Sequence, residues 1–357
     1  MGGRQEQFSG SGAVRHGHEL DLQRLQWYLQ GQLGNFSGPL SLKQFKGGQS
    51  NPTYLLQSPS GNYVMRRKPP GQLLKSAHAV DREFRVLSAL DAVGFPVPKP
   101  LVLCTDDSVV GTMFYLMEYV QGRVFWDLDL PGLAPAERRA IYDHVNRVIA
   151  DLHNLDYAKV GLAEYGKPGN YFARQISRWS KQYVASETQS INAMDSLMEW
   201  LPGNIPGDDS SSIVHGDYRL DNLILHPTEP RVIAVLDWEL STVGHPLGDF
   251  TYHLMAWQMP DFGIGSAGLR NADLATLGIP TEEEYVALYC ERTGRKGGIP
   301  NRDFYAAYNF FRIAAILQGI AGRVRDGTAA SEHAETTAKA VAPLAELGWG
   351  YARKAGR

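Results

Sequence analysis

The chain predicts an α+β fold in two lobes: a small antiparallel-sheet N-terminal lobe, then a mostly helical C-terminal lobe. Three observations carry this. Up to about residue 120, short β-prone runs alternate with turns such as Ser58-Pro59-Ser60-Gly61. After Gly122, apolar residues recur at helical spacing in one segment after another. Among those helical segments lies a polar loop framed by apolar runs, Ile213-Val214-His215-Gly216-Asp217-Tyr218-Arg219-Leu220-Asp221-Asn222-Leu223-Ile224-Leu225, followed by Val232-Ile233-Ala234-Val235-Leu236-Asp237-Trp238-Glu239.

A length of 357 residues allows two lobes with a sizeable core, and 43% hydrophobic with 20% charged residues is an ordinary globular composition. Net charge is −3, with +3 over residues 1–120 and −6 over 121–357. Neither half has the clustered basic face of a nucleic-acid binder. Two cysteines far apart, Cys104 and Cys290, exclude a disulfide framework or cysteine zinc site and suit a reducing, cytoplasmic setting. The most apolar stretch, Phe304 to Gly322, contains Asn309, Arg312 and Gln318, so it reads as a buried helix and no membrane partner is expected.

In order, Met1 to about His18 is Gly/Ser-rich and is expected to be disordered. Leu22, Leu25, Leu29 and Leu33 predict a helix over Asp21 to Leu33. Strands are expected at Ser41 to Lys46 and Thr53 to Gln57, flanking Gly47-Gly48-Gln49-Ser50-Asn51. Glycines beside Ser and Asn let backbone N–H groups approach an anion, although the same residues also make ordinary hairpin turns. In Asn62 to Pro69, Val64 and Arg66 face one side of a strand and Met65 and Arg67 the other. The helix Ala77 to Val93 has Glu83 beside the stripe Val80, Phe84, Leu87 and Leu90. Strands Leu101 to Thr105 and Thr112 to Val120 end the sheet at Glu118-Tyr119-Val120. Helices are expected at Ala134 to Leu155, Tyr171 to Val184, Met194 to Leu201, Gly244 to Trp257, Thr281 to Arg292 and Asp303 to Arg325. Domain limits follow: 1–18 disordered, 19–120 the N-terminal lobe, 121–357 the C-terminal lobe.

Pro227-Thr228-Glu229-Pro230 predicts a hairpin that would bring Asp217, Asn222 and Asp237 to one end of a small sheet. Such a trio suits phosphoryl transfer. One carboxylate sits by an acceptor hydroxyl, and an Asn and a second carboxylate hold Mg²⁺ against nucleotide phosphates. Protein kinases write this as H-R-D-x-x-x-x-N with a later metal-binding Asp, and here the motif reads H-G-D-Y-R-L-D-N. A kinase-like strand also carries a cation for the α/β-phosphates, for which Arg66 is the candidate, with Glu83 as its helix partner. Asp249, near a helix start, either complements the helix dipole or holds the loop backbone.

His215-Gly216-Asp217 with Asn222, Leu236-Asp237-Trp238-Glu239 and Gly244-His245-Pro246-Leu247-Gly248-Asp249 resemble the aminoglycoside phosphotransferase family of protein-kinase-like small-molecule kinases. Phe45-Lys46-Gly47-Gly48-Gln49-Ser50-Asn51, Val64 to Pro69 and Ser76 to Glu83 are similar to the kinase-like portion of acyl-CoA dehydrogenase fusion proteins and their stand-alone bacterial relatives. The resemblance implies a bilobal protein-kinase-like fold. It implies Asp217 as catalytic base, Asn222 and Asp237 as Mg²⁺ ligands, and ATP as donor. The nucleotide would meet Arg66, Glu83, Gly47, Gly48, Gln49, Ser50, and the linker backbone at Glu118 and Val120. Arg66 stands where protein kinases have Lys, and Trp238-Glu239 where they have Phe-Gly; Glu239 is either a further metal ligand or a plain acid. The implied acceptor is a small-molecule hydroxyl, with a hydroxyacyl (CoA) compound as the leading candidate and Arg312, Arg323 and Arg325 as cations for it or for solvent. The alternatives are an aminoglycoside acceptor, or a catalytically silent kinase-fold module that binds nucleotide. A serine hydrolase would need a Gly-x-Ser-x-Gly elbow, which the chain lacks, and its histidines make no zinc pattern.

Overall fold

Alternation of apolar and polar residues builds the first sheet. The computed structural model describes residues 10–46, 51–69, 79–260, 268–327, 336 and 338–356. Gly47, Gly48, Gln49 and Ser50 lie outside the described residues. The chain divides into two compact units. The first comprises the described residues up to Trp126, with Ala158–Leu162 and Arg219–Ser241; the second comprises Asp127–Tyr157, Ala163–Tyr218 and the described residues from Thr242 onward. The expected boundary near residue 120 is close to the cut after Trp126, but Arg219–Ser241, expected in the C-terminal lobe, groups with the first unit.

In that unit β1 (Ser11–Gly12), helix α1 (Leu22–Gln32), β2 (Ser41–Phe45), β3 (Thr53–Ser58), β4 (Gly61–Arg67), α2 (Val80–Asp91), β5 (Pro100–Cys104) and β6 (Phe114–Glu118) follow in turn. The sheet order is β1-β2-β3-β4-β6-β5. Ser11 pairs with Phe45, Arg15 N–H donates to Gln44 Oε1 (2.9 Å) and Tyr54 Oη donates to the His18 carbonyl (2.9 Å). Residues 10–18, expected to be disordered, are therefore tied to the sheet: an edge strand offers unpaired backbone groups to any segment that can reach them. One sheet face, with Tyr54, Leu56, Met65, Phe114 and Leu116, packs against Leu25 and Leu29 of α1. Val64 and Arg66 lie on the other face, as the period of two requires, and Arg66 sits opposite Tyr115 of β6.

In the second unit α3 (Pro135–Asn154) buries Ile141, Val145, Val148 and Leu152, the stripe expected from sequence. α4 (Tyr171–Ser186) and α5 (Asn192–Gly203) precede β7 (Ser212–Val214). The chain then re-enters the first unit through a 3₁₀ turn at Leu220–Asn222, strands β8 (Leu223–Leu225) and β9 (Val232–Val235), and a second 3₁₀ turn at Trp238–Leu240. The β8–β9 hairpin pairs Leu223 with Val235, and Leu236 N–H donates to the Asn222 carbonyl (2.8 Å), so Asn222 and Asp237 share one end of the hairpin as expected. Asp217 belongs to the second unit. It follows β7, which pairs instead with β10 (Thr242–Gly244) in the second unit. Arg123 exchanges both backbone hydrogen bonds with Leu225 (2.8 Å each), and a Cβ on Gly122 would lie 2.3 Å from the Leu225 carbonyl oxygen, so only glycine allows that approach.

The second unit continues with α6 (Pro246–Gln258), α7 (Glu282–Arg292), α8 (Arg302–Arg325) and α9 (Val341–Ala355). α8 buries residues on nearly every side, from Phe304 to Gly322, as a central helix must. α9, absent from the sequence expectations, packs on α8, with a Cβ at Gly348 falling 3.0 Å from Phe310 Cβ. Among the described residues no helix is long and apolar enough to cross a membrane.

Candidate active site

Two side-chain clusters hold the candidate residues, one within each unit. In the first unit Arg66 is almost wholly buried and faces three carboxylates. Its Nη2 lies 2.7 Å from Asp237 Oδ1 and 3.1 Å from Glu239 Oε2, and its Nε forms an ion pair with Glu83 Oε2 at 3.2 Å. The predicted Arg66–Glu83 pairing is present, and Asp237 and Glu239 join it. Asn51 Nδ2 donates to Glu83 Oε1 (3.1 Å) and Glu239 Oε2 (3.3 Å), while Tyr115 Oη donates to Glu83 Oε2 (3.1 Å). The fold explains the convergence. Arg66 and Tyr115 are cross-strand neighbours, α2 packs beside the sheet, and the hairpin ends at Asp237. Asp237 holds φ 67°, ψ 61°, a left-handed conformation that non-glycine residues avoid unless the surroundings impose it.

One cation among three acids leaves excess negative charge, and the titration directions follow. Burial opposes the Arg66 charge, but Asp237 and Glu83 more than offset it, so its pKa is raised. Burial pushes the Glu83 carboxyl up to about 7, only partly countered by Arg66 and reinforced by Asp237 and Glu239. The two directions are compatible, because the guanidinium meets three anions while Glu83 meets one cation and two like charges. A raised acid pKa contributes stability present below about pH 4.5 and lost as pH rises through about 7. In ligand-free protein, wild type should therefore lose on the order of 3 kcal/mol over that window relative to Glu83→Gln, by the linkage of about 1.4 kcal/mol per pKa unit. Urea melts of both proteins at pH 5 and pH 8 check this, and parallel pH dependences would refute it.

The donor set fits a divalent cation. Asp237 and Glu239 are the partly exposed acids of the cluster, at 30% and 24%, and Asn222 adds an amide oxygen from the same hairpin end. Among the described residues no three His, Cys, Asp or Glu side chains form a cage by themselves. Mg²⁺ needs none, since it takes one or two carboxylates and completes its shell with water and phosphate. Glu118 and Val120 end the sheet, Glu118 paired to Tyr63 and its N–H bonded to the Lys99 carbonyl (2.9 Å).

In the second unit the loop His215–Tyr218 is held atom by atom. Asp249 is buried and takes the His215 N–H on Oδ2 (2.7 Å) and the Gly216 N–H on Oδ1 (2.8 Å), with His153 Nε2 at 3.3 Å. Burial opposes its charge, yet His153 and these donors hold its carboxyl below the usual range. Holding the loop backbone is thus the role of Asp249. Arg312 Nη2 donates to the Gly216 carbonyl, and Asp217 N–H donates to His215 Nδ1 (3.1 Å). Gly216 has φ 83°, where a side chain would be strained. Burial lowers the His253 pKa to about 4, so the ring is neutral; Nδ1–H meets the Tyr218 carbonyl (3.2 Å) and Nε2 accepts from Tyr285 Oη (2.9 Å). Asp217 is partly exposed, and Tyr252 Oη donates to its Oδ1 at 2.6 Å.

The sequence reading missed Tyr252 and His253. The signal was there: they stand three and four residues after Asp249, on the same face of α6. Arg312, expected to meet an acceptor or solvent, is instead buried against the loop. Arg325 pairs with Asp326 (2.8 Å) and the Glu187 carbonyl (2.9 Å).

Residues 41–289 match the family described as "Phosphotransferase enzyme family". The chain is 47% identical over 344 residues to mouse acyl-CoA dehydrogenase family member 10, and 45% over 340 residues to human acyl-CoA dehydrogenase family member 11. These alignments span 96% and 93% of the chain but only 32% and 43% of those relatives' length. A crystal structure from Ralstonia eutropha, provisionally named an aminoglycoside phosphotransferase, is 55% identical, with TM-score 0.85 over 94% of this chain and 99% of that one. Choline kinase from Cryptosporidium parvum, 11% identical, shares the fold, with TM-score 0.63 over 91% of this chain and 96% of that one. The chain therefore belongs to the phosphotransferase enzyme family and has its kinase-like fold.

Proposed function

We propose that the chain transfers the γ-phosphoryl group of ATP, with Mg²⁺, to a hydroxyl of a small neutral or anionic molecule, a hydroxyacyl compound carried on CoA being the leading candidate. One observation carries this: in a member of the phosphotransferase family, Asp217 is aimed by a 2.6 Å hydrogen bond from Tyr252 on a loop whose backbone is held by Asp249. A silent nucleotide-binding module has no use for that arrangement. Asp217 accepts the acceptor's proton as general base. Asp237 and Asn222 would hold the metal, and Arg66, anchored by Glu83, would face phosphate. When bound, Mg²⁺ supplies charge neutralisation at the phosphate oxygens. Glu118 and Val120 offer backbone groups to adenine, and Gly47, Gly48, Gln49 and Ser50 offer N–H groups to phosphate. A cytoplasmic setting is part of the same reading.

Three comparisons support the nucleotide and the acceptor class. A structural neighbour was crystallised with AMP-PNP and hygromycin B, and another with ADP and spectinomycin, so this fold accommodates nucleotide and small acceptor together. The relatives named as acyl-CoA dehydrogenase family members suggest an acyl chain. A polycation would need free carboxylates, whereas the loop carboxylate Asp217 already accepts from Tyr252 and Asp249 is buried on the loop backbone. The test is ADP release from Mg·ATP with a panel of hydroxyacyl-CoA esters and aminoglycosides. A higher kcat/KM for a hydroxyacyl-CoA is expected; a higher value for kanamycin overturns the acceptor and leaves the kinase. For the metal, Asp237→Ala should abolish Mg²⁺-dependent thermal protection by ATP while the ligand-free protein stays folded. Protection equal to wild type would remove Asp237 from the metal site.

A further inference from the structure

We propose that Tyr252, braced by Arg312, is a positioning residue that sets the rotation of the Asp217 carboxylate. The inference rests on the reading of Asp217 as the base and names the device that aims it. The Cβ–Cγ torsion of an aspartate is broad, with no sharp rotamer well, so a partly exposed carboxylate samples many orientations. Phosphoryl transfer needs one orientation, since a misplaced catalytic group costs as much as 10²-fold in rate. The Tyr252 hydroxyl, 2.6 Å from Oδ1, is at the short end of charge-assisted bonds and selects it.

Arg312 makes that bond a fixed distance. Its guanidinium lies 4.9 Å from the centre of the Tyr252 ring and donates to the carbonyl of Gly216, the residue preceding Asp217. The Trp179 ring lies 6.0 Å from the same guanidinium. One planar cation thus grips the ring that carries the donor and the peptide that carries the acceptor. Tyr252 also lies on the α6 face that bears Asp249, so one helix references the loop backbone and the carboxylate alike. Arg312 is 4% exposed, and burying a cation against a carbonyl and two rings is costly for stability alone.

The experiment compares Tyr252→Phe, Asp217→Asn and the double variant by ADP release from Mg·ATP, with the hydroxyacyl-CoA ester that turns over fastest as acceptor. Tyr252→Phe keeps the ring on Arg312 and removes only the hydroxyl. Its kcat should fall roughly 10–10²-fold with KM for ATP unchanged. In the Asp217→Asn background the same change should alter kcat by no more than about twofold, the scatter allowed for an absent interaction. Normal turnover in Tyr252→Phe beside an inactive Asp217→Asn overturns the inference and leaves the base assignment standing, as do additive losses in the double variant. Full turnover in Asp217→Asn overturns the base assignment itself, and the inference with it. A crystal structure of ligand-free Tyr252→Phe gives an answer independent of the acceptor. The Asp217 carboxylate should be rotated or split between rotamers while His215 and Gly216 stay in place; a single unchanged rotamer overturns the inference.

Discussion

Asp217→Asn is expected to bind ATP as wild type does and to lose turnover by roughly 10²–10⁴-fold, the size of a general-base contribution. The substitution conserves shape. The amide oxygen still accepts from Tyr252, and the Asp217 N–H still reaches His215 Nδ1, so the loop keeps its conformation. On the proposed reading of Asp217 as base, only the proton acceptor is lost. ATP affinity from equilibrium titration and kcat from ADP release separate the two effects. Near-normal kcat would assign proton acceptance to another group, and a parallel loss of affinity would make Asp217 part of nucleotide binding.

Asp249→Ala is expected to cost about 3–5 kcal/mol of stability, the usual result of removing one partner from a buried charged network. Three contacts disappear together: the N–H groups of His215 and Gly216 lose their acceptor and His153 Nε2 loses its partner oxygen. Two buried amides without partners account for much of the loss. The melting temperature should fall by about 10 °C, by the scaling for domains of this size. Asp249→Asn should fall between wild type and Ala, because an amide oxygen can replace one acceptor but its NH₂ then opposes a donor. If Asp249→Ala melts within a degree or two of wild type, the carboxylate does not organise the loop.

The fold class was legible because binary patterning changes period along the chain. Val64 and Arg66 against Met65 and Arg67 gave the two faces of β4, and Ile141, Val145, Val148 and Leu152 gave the buried side of α3. The Arg66–Glu83 ion pair was legible through the kinase pattern, which sets a helix acid against the strand cation. α9 was not. Its buried positions include Ala345, Gly348 and Ala352, small residues with little hydrophobic signal, and Gly348 and Gly350 lower helix propensity. Its stability comes from close packing on α8, which no local window contains.

What the sequence by itself determined was a set of candidate groups and their order, Asp217, Asn222 and Asp237 among apolar runs, because chemistry restricts which residue types can serve and the chain preserves their spacing. What only the tertiary structure decided was who holds them. Tyr252, His253 and Arg312 reach the loop from α6 and α8, tens of residues away, while Glu239 pairs with Arg66 and Asn51 bonds Glu239 and Glu83. Hydrogen bonds and ion pairs depend on distance in space, to within a few tenths of an ångström, and sequence separation carries no such distance.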